Sequence, residues 1–121
     1  MLNKDEIINF GLELPNTYED YPFPNDMYTV TLKHKENNKW FVLIMNIHNK
    51  MYVNVKTNPE YSELLRNTYE YIIPAYHMNK QHWNTIIVNE NIDEKLVYEL
   101  IEESYYLTKN ALVKNKQKIK Y

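Results

Sequence analysis

From Tyr28 to Lys56 the side chains alternate between apolar and polar at a period of two, and asparagine breaks the alternation twice. Tyr28, Val30 and Leu32 point one way and Thr29, Thr31 and Lys33 the other, as successive strand residues must. The first break is Glu36-Asn37-Asn38 and the second His48-Asn49. Asparagine tolerates the left-handed backbone that tight hairpins need. Between the breaks, Trp40 to Met45 is apolar on both faces, which suits a central strand. After them, Met51, Val53 and Val55 face inward while Tyr52, Asn54 and Lys56 face away. Connections this short join only antiparallel neighbours, so the segment is a three-stranded antiparallel meander.

The flanks change period. Asn3 and Glu6 have capping-box spacing, Ile7, Phe10/Gly11 and Leu14 recur helically, and Pro15 ends that helix. The stretch 16–26, with Pro22 and Pro24, reads as irregular or as a short edge segment. Asn58-Pro59 starts a second helix, with Tyr61, Leu64, Leu65 and Thr68 as its inward stripe. A fourth strand is expected from Asn84 to Asn89. A final, longest helix is capped near Asp93, with Val97, Leu100/Ile101, Ser104, Leu107/Thr108 and Ala111 on its buried side. Asp93 and Glu94 in its first turn and lysines in its last suit the helix dipole. The order predicts an α+β two-layer sandwich, an antiparallel sheet with the N- and C-terminal helices packed on one face. No repeat or linker divides residues 1–121, so one domain is expected.

Composition removes several chemistries. With no cysteine there are no disulfides, thiolate nucleophiles or Cys-ligated metals. No run approaches the roughly 18 apolar residues of a membrane span, and the charged start, Met1 to Glu6, is unlike a signal peptide. A cytoplasmic location, with no membrane partner, is the expectation. The abundance of Asn, Lys, Ile and Tyr, with Gly11 and Arg66 alone of their kinds, reads as drift in an AT-rich genome. The net charge of −2 is unevenly spread. Up to Lys33, Asp5, Glu6, Glu13, Glu19, Asp20 and Asp26 outnumber Lys4 and Lys33. Lys109, Lys114, Lys116, Lys118 and Lys120 meet no acid after Ser104, and 114–121 forms a basic tail.

The densest polar constellation is Tyr76-His77-Met78-Asn79-Lys80-Gln81-His82-Trp83-Asn84, on a connection where function tends to sit. His77 and His82 are five apart, matching neither the helical nor the strand spacing of a ligand pair. Either histidine titrates near neutral pH, yet the only serines, Ser62 and Ser104, lie in no nucleophile elbow, and Gly11 alone makes no phosphate-cradling loop. No catalytic residue, metal or cofactor is assigned. Polyanion contact is the third reading: Lys80 brings charge, Asn79, Gln81 and Asn84 bring hydrogen bonds, and Trp83 or Tyr76 brings a ring for a base. Lys33, Tyr52, Asn54, Lys56 and the C-terminal lysines would extend that surface. Against it stands a purely structural role, with Trp83 filling a gap between helix and sheet and the histidines bonded to backbone.

Three strings are distinctive: TYEDYPF at Thr17–Phe23, VNVKTNPE at Val53–Glu60 and PAYHMNKQHWNTI at Pro74–Ile86. With the LIEESYYLTKNAL helix that starts at Leu100, they resemble the MmcQ/YjbR family in register along nearly the whole chain. The resemblance implies a fold similar to CyaY, the bacterial frataxin, and a DNA-binding role through a double wing of β-hairpins. It places the family's recurrent polar positions on Asn54, Lys56, His77, Asn79, Lys80, His82, Trp83 and Asn84, none with a catalytic role. One arginine and an acidic front mean that any such contact is weak, local and salt-sensitive.

The leading expectation is therefore a small DNA-binding or regulatory protein using the hairpins, the His77–Asn84 segment and the lysine tail. It requires those basic elements to converge on one face. The alternative is a protein- or small-ligand-binding module without a nucleic-acid role, marked by a concave pocket near Tyr76, His77 and Trp83 and by dispersed lysines. A frataxin-like metal role is the third, and requires the N-terminal carboxylates to form a ridge. A monomer is expected.

Overall fold

The computed structural model describes residues 1–109. Ala111 and the basic tail 114–121 lie outside the described residues.

Helix α1 (Lys4–Glu13) opens with the expected capping box, the Asn3 side chain accepting from Glu6 N while Glu6 Oε1 accepts from Asn3 N. Strands β1 (Thr17–Asp20), β2 (Val30–His34), β3 (Trp40–Ile47) and β4 (Lys50–Lys56) follow. The segment after Pro15 thus supplies a true edge strand. Helix α2 (Pro59–Thr68) starts on Asn58 with proline in its first turn. Then come β5 (Ile72–Pro74), which carries no sequence signal beyond two isoleucines, β6 (Trp83–Ile87) and α3 (Glu94–Lys109). Asp93 Oδ1 accepts from Leu96 N at the start of α3. The six strands form one sheet, ordered β1-β2-β3-β4-β6-β5, antiparallel throughout.

One face of the sheet takes all three helices. Val30, Leu32, Val42, Ile44, Val53, Val55, Ile72 and Ile86 form a single cluster with Ile7 and Ile8 of α1, Leu65 of α2, and Val97, Leu100, Ile101 and Tyr105 of α3. The two-layer α+β sandwich read from the sequence is the observed fold. Gly11 lets α1 lie close on β2, because a Cβ there would overlap Leu32 Cδ1. In α2 the buried stripe differs from expectation: Leu64 is 59% exposed and Thr68 is exposed, while Ser62 and Leu65 are buried. A polar residue with buried partners took the inward position, which an apolar count cannot register. Leu107, paired with Thr108 in the sequence reading, is likewise exposed in α3.

A register shift sets the end of the sheet that matters most. Leu32 pairs with Val42 but Lys33 pairs with Trp40, leaving Phe41 as an extra residue in β3. Such a bulge lets Phe41 and Val42 both enter the core and turns Trp40 to the opposite, helix-free face.

The last described turns of α3 are tied to this end. Ser104 Oγ donates to Phe41 O at 2.6 Å and accepts from Lys56 N at 2.9 Å, joining β3 and β4. Thr108 Oγ1 donates to Ser104 O, and His34 Nε2 lies 2.7 Å from Thr108 Oγ1. His34 is buried between the rings of Phe41 and Tyr105. Burial holds its pKa below the ordinary histidine value, and the charge of Lys109 adds to the effect. In the β2–β3 turn, Asn37 Nδ2 donates to Thr108 O, and Asn38 Oδ1 accepts from Tyr18 OH.

Candidate functional site

The helix-free face is not as polar as its sequence. Thr31, Leu43, Asn54 and Thr85 lie side by side across four strands there, and all are buried. The connection between β5 and β6 folds over part of this row. Asn54 Nδ2 donates to Tyr76 O, Tyr76 N donates to Thr85 Oγ1, and Thr85 Oγ1 donates to Asn54 Oδ1. Asn54 therefore braces the loop rather than facing solvent. The Tyr76 ring meets Tyr52 edge-on at 5.9 Å and His77 at 4.0 Å.

His77 takes φ 63°, a left-handed conformation uncommon outside glycine. It turns the chain sharply between Tyr76 and Met78. Asn79 then builds a turn, its Oδ1 accepting from Gln81 N and its carbonyl from Trp83 N. His82 O accepts from Thr57 N at 2.8 Å, continuing the β4–β6 ladder.

The far side of the loop is held by Arg66, reaching from α2. Its Nη2 donates to Lys80 O and Trp83 O, and its Nε to Asn84 Oδ1. The Asn84 amide nitrogen donates to Thr57 Oγ1 and Ser62 Oγ. Every polar atom of the buried Asn84 side chain is thus committed, and its work is to join loop, sheet and α2.

What remains open is a cleft of about 380 Å³ lined by Asn38, Lys39, Trp40, Lys56, Met78, Trp83 and Thr108. Both tryptophans of the chain stand in it. The bulge brings Trp40, the register pair Lys56↔Trp83 brings two more walls, and the left-handed turn brings Met78. Two cations beside two indoles and a thioether make a surface for a flat, electron-rich, anionic partner.

The other basic groups do not gather here. Lys33 pairs with Asp20 at 3.4 Å, and its ammonium is held charged above the ordinary lysine range, chiefly by the Tyr18 hydroxyl. Lys4 lies over the Tyr28 ring, Lys109 over Tyr105, and Lys50 lines two other surface clefts. Of the N-terminal carboxylates, Glu6 closes the capping box, Asp20 pairs with Lys33, Glu19 accepts from Tyr21 OH, and Asp26 accepts from Tyr28 N, Thr29 N and Thr29 Oγ1. Among the described residues no group of three or more His, Asp or Glu side chains is placed to hold a metal ion. None of their helices is long and apolar enough to cross a membrane.

The family model for YjbR matches residues 12–107, from the C-terminal end of α1 into the last turn of α3. The chain belongs to the YjbR family. It is similar to YyaQ of Bacillus subtilis (strain 168), 38% identical over 119 residues, covering 90% of this chain and 100% of that one. It is 35% identical over 108 residues to YbdF of Escherichia coli O157:H7, covering 89% and 85%. A Pseudomonas syringae crystal structure superposes with TM-score 0.81 at 31% identity, covering 88% of this chain and 99% of that one. A Deinococcus radiodurans structure gives 0.78 at 27%, covering 88% and 78%.

In this YjbR-family chain the distinctive string His77–Thr85 is thus partly a construction element. Asn54, Asn79 and Asn84 shape the loop; Lys56 and Trp83 line the cleft; Tyr76, His77 and Lys80 are exposed beside it, and His82 is half-buried. Trp40 reads in the sequence only as a central-strand residue, because its place in the cleft depends on the bulge. Arg66 went unnoticed because its partners are distant in sequence. The first hairpin does not stand free, and the second passes β2 and β6 by only its last few residues. The first is tied back through Asn37 and Asn38, and the second closes in a two-residue turn, His48-Asn49, between the two central strands.

Proposed function

We propose that this YjbR-family chain is a non-catalytic, cytoplasmic nucleic-acid-binding protein whose contact surface is the Trp40–Trp83 cleft with the adjoining His77–Lys80 turn. The observation that carries the reading is the meeting of Trp40, Trp83, Lys39 and Lys56 around one concavity. Indoles stack on bases and lysines neutralise phosphates, the two ingredients of sequence-tolerant strand binding. Contact is weak, because the basic groups do not converge: Lys33 pairs with Asp20, and Lys4, Lys50 and Lys109 lie against other surfaces. DNA is the natural first ligand.

A labelled DNA strand titrated with the protein at several salt concentrations, followed by anisotropy, tests this. The pair K39Q/K56Q is expected to abolish most binding and flatten the log–log salt slope by about 1.4, the share of two phosphates on a single strand. K33Q/K50Q, altering lysines outside the cleft, is expected to leave binding nearly unchanged. Equal losses from both pairs would remove the cleft from the reading.

A second reading, a small anionic ring compound as the ligand, is favoured by the concave shape of the cleft and the dispersal of the other lysines. Its mark is saturation by a mononucleotide-sized molecule with no gain from a longer strand.

A further inference from the structure

The cleft has a shape and chemistry that discriminate between forms of nucleic acid. Resting on the reading above, we infer that it takes unpaired bases, from single strands, ends or extruded nucleotides, and rejects the interior of a duplex.

An indole gains stacking energy only from an exposed base face. In a duplex those faces are covered by neighbouring pairs, and the grooves offer only edges. Duplex readers insert something convex, a helix or a two-stranded ribbon, into the major groove. Here the aromatic surface is concave, with Trp40 and Trp83 lining the same hollow and Met78 beside them. The candidate ribbons are unsuited to insertion. The β2–β3 turn is bonded to Thr108 and Tyr18, and the β3–β4 ribbon, which passes β2 after Ile44 and β6 before Tyr52, carries one lysine, Lys50, near its tip. The volume, about 380 Å³, lies at the lower end of the range for small-ligand pockets, the scale of a nucleotide rather than of a helix. Lys39 and Lys56 in the lining match the one or two phosphates that accompany such a unit.

Both tryptophans line the cleft, so intrinsic indole emission reports its occupancy directly. The test titrates the whole protein with a short oligothymidine, with the same strand paired to oligoadenine, and with thymidine monophosphate, recording emission and anisotropy. The expected result is quenching by the single strand with affinity at least about tenfold above that for the duplex, the order of one stacked base. Trp83→Leu should lose about tenfold in single-strand affinity and Trp83→Phe should recover most of it. Lys56→Gln, on the cleft wall, gives an independent weakening should Trp83→Leu fail to fold. Equal affinity for duplex and single strand would overturn the inference and leave nucleic-acid binding standing. Strand binding that leaves indole emission unchanged would also overturn it, by moving the contact elsewhere. No binding to either form, by either signal, would bring down the underlying reading as well.

Discussion

His34 is a histidine whose neutral form the fold favours. Its Nε2 is 2.7 Å from the Thr108 hydroxyl, which itself donates to the Ser104 carbonyl, so the ring supplies the proton in that bond. Burial depresses its folded-state pKa below the ordinary 6.5, the Lys109 charge pushes the same way, and Glu36 opposes them. The unfolded chain therefore binds a proton more readily than the native one, and stability falls as pH drops through that value toward the folded one. Thermal midpoints between about pH 7.5 and about pH 5 should decline on the acid side, and His34→Gln should reduce the decline. An unchanged acid slope in that variant would assign the effect to other groups. Arg66 acts by geometry instead. Arg66→Lys keeps the charge but loses the fork that serves Asn84 Oδ1 and the carbonyls of Lys80 and Trp83. A loss of about 1–3 kcal/mol in urea unfolding is expected, with a red shift in indole emission as the Trp83 wall loosens.

Between elements, α1 lies close on β2 at Gly11. Alanine at position 11 would gain about 1 kcal/mol of helix propensity, but its methyl would collide with Leu32, which is fully buried. Overpacking of this kind costs about 1–3 kcal/mol, so Gly11→Ala should destabilise on balance. In a Leu32→Val background, where Cδ1 is gone, the penalty should shrink, and a double-mutant cycle by chemical denaturation reads that coupling directly. Element boundaries were legible wherever a local signal decided them, as with the Asn3–Glu6 box and the Asn58-Pro59 start. They were hidden where tertiary partners decided. β5 exists because β6 offers an open edge, and α2 buries Ser62 rather than Leu64 because Asn84 waits beneath it. Asn54 and Lys56 look equivalent in the alternating pattern, yet a loop returning from twenty residues away covers only the first.

At the scale of the molecule, one sheet and one apolar cluster join all three helices across the described residues. Unfolding is accordingly expected as a single cooperative step, with far-ultraviolet circular dichroism and indole emission giving coincident transitions. Separate midpoints would mean that the cleft end melts before the core. Charge, too, is legible only in part. The acidic front and basic end are visible in the sequence, but which lysines remain available is not. Lys33 and Lys56 read alike as outward strand positions, and only the fold shows one paired to Asp20 and the other in the cleft.

The extra residue in β3 resets which face its side chains take. Side chains along a strand carry a two-beat phase, and Phe41 inserts a single beat between the part written for the core and the part written for the open face. Trp40 belongs to the cleft only because of that insertion. The same residues paired without the bulge would set Phe41 opposite Lys33 on the open face and turn Trp40 to the core side. The register of β3 against β2, more than its length, thus decides whether an indole reaches the hollow.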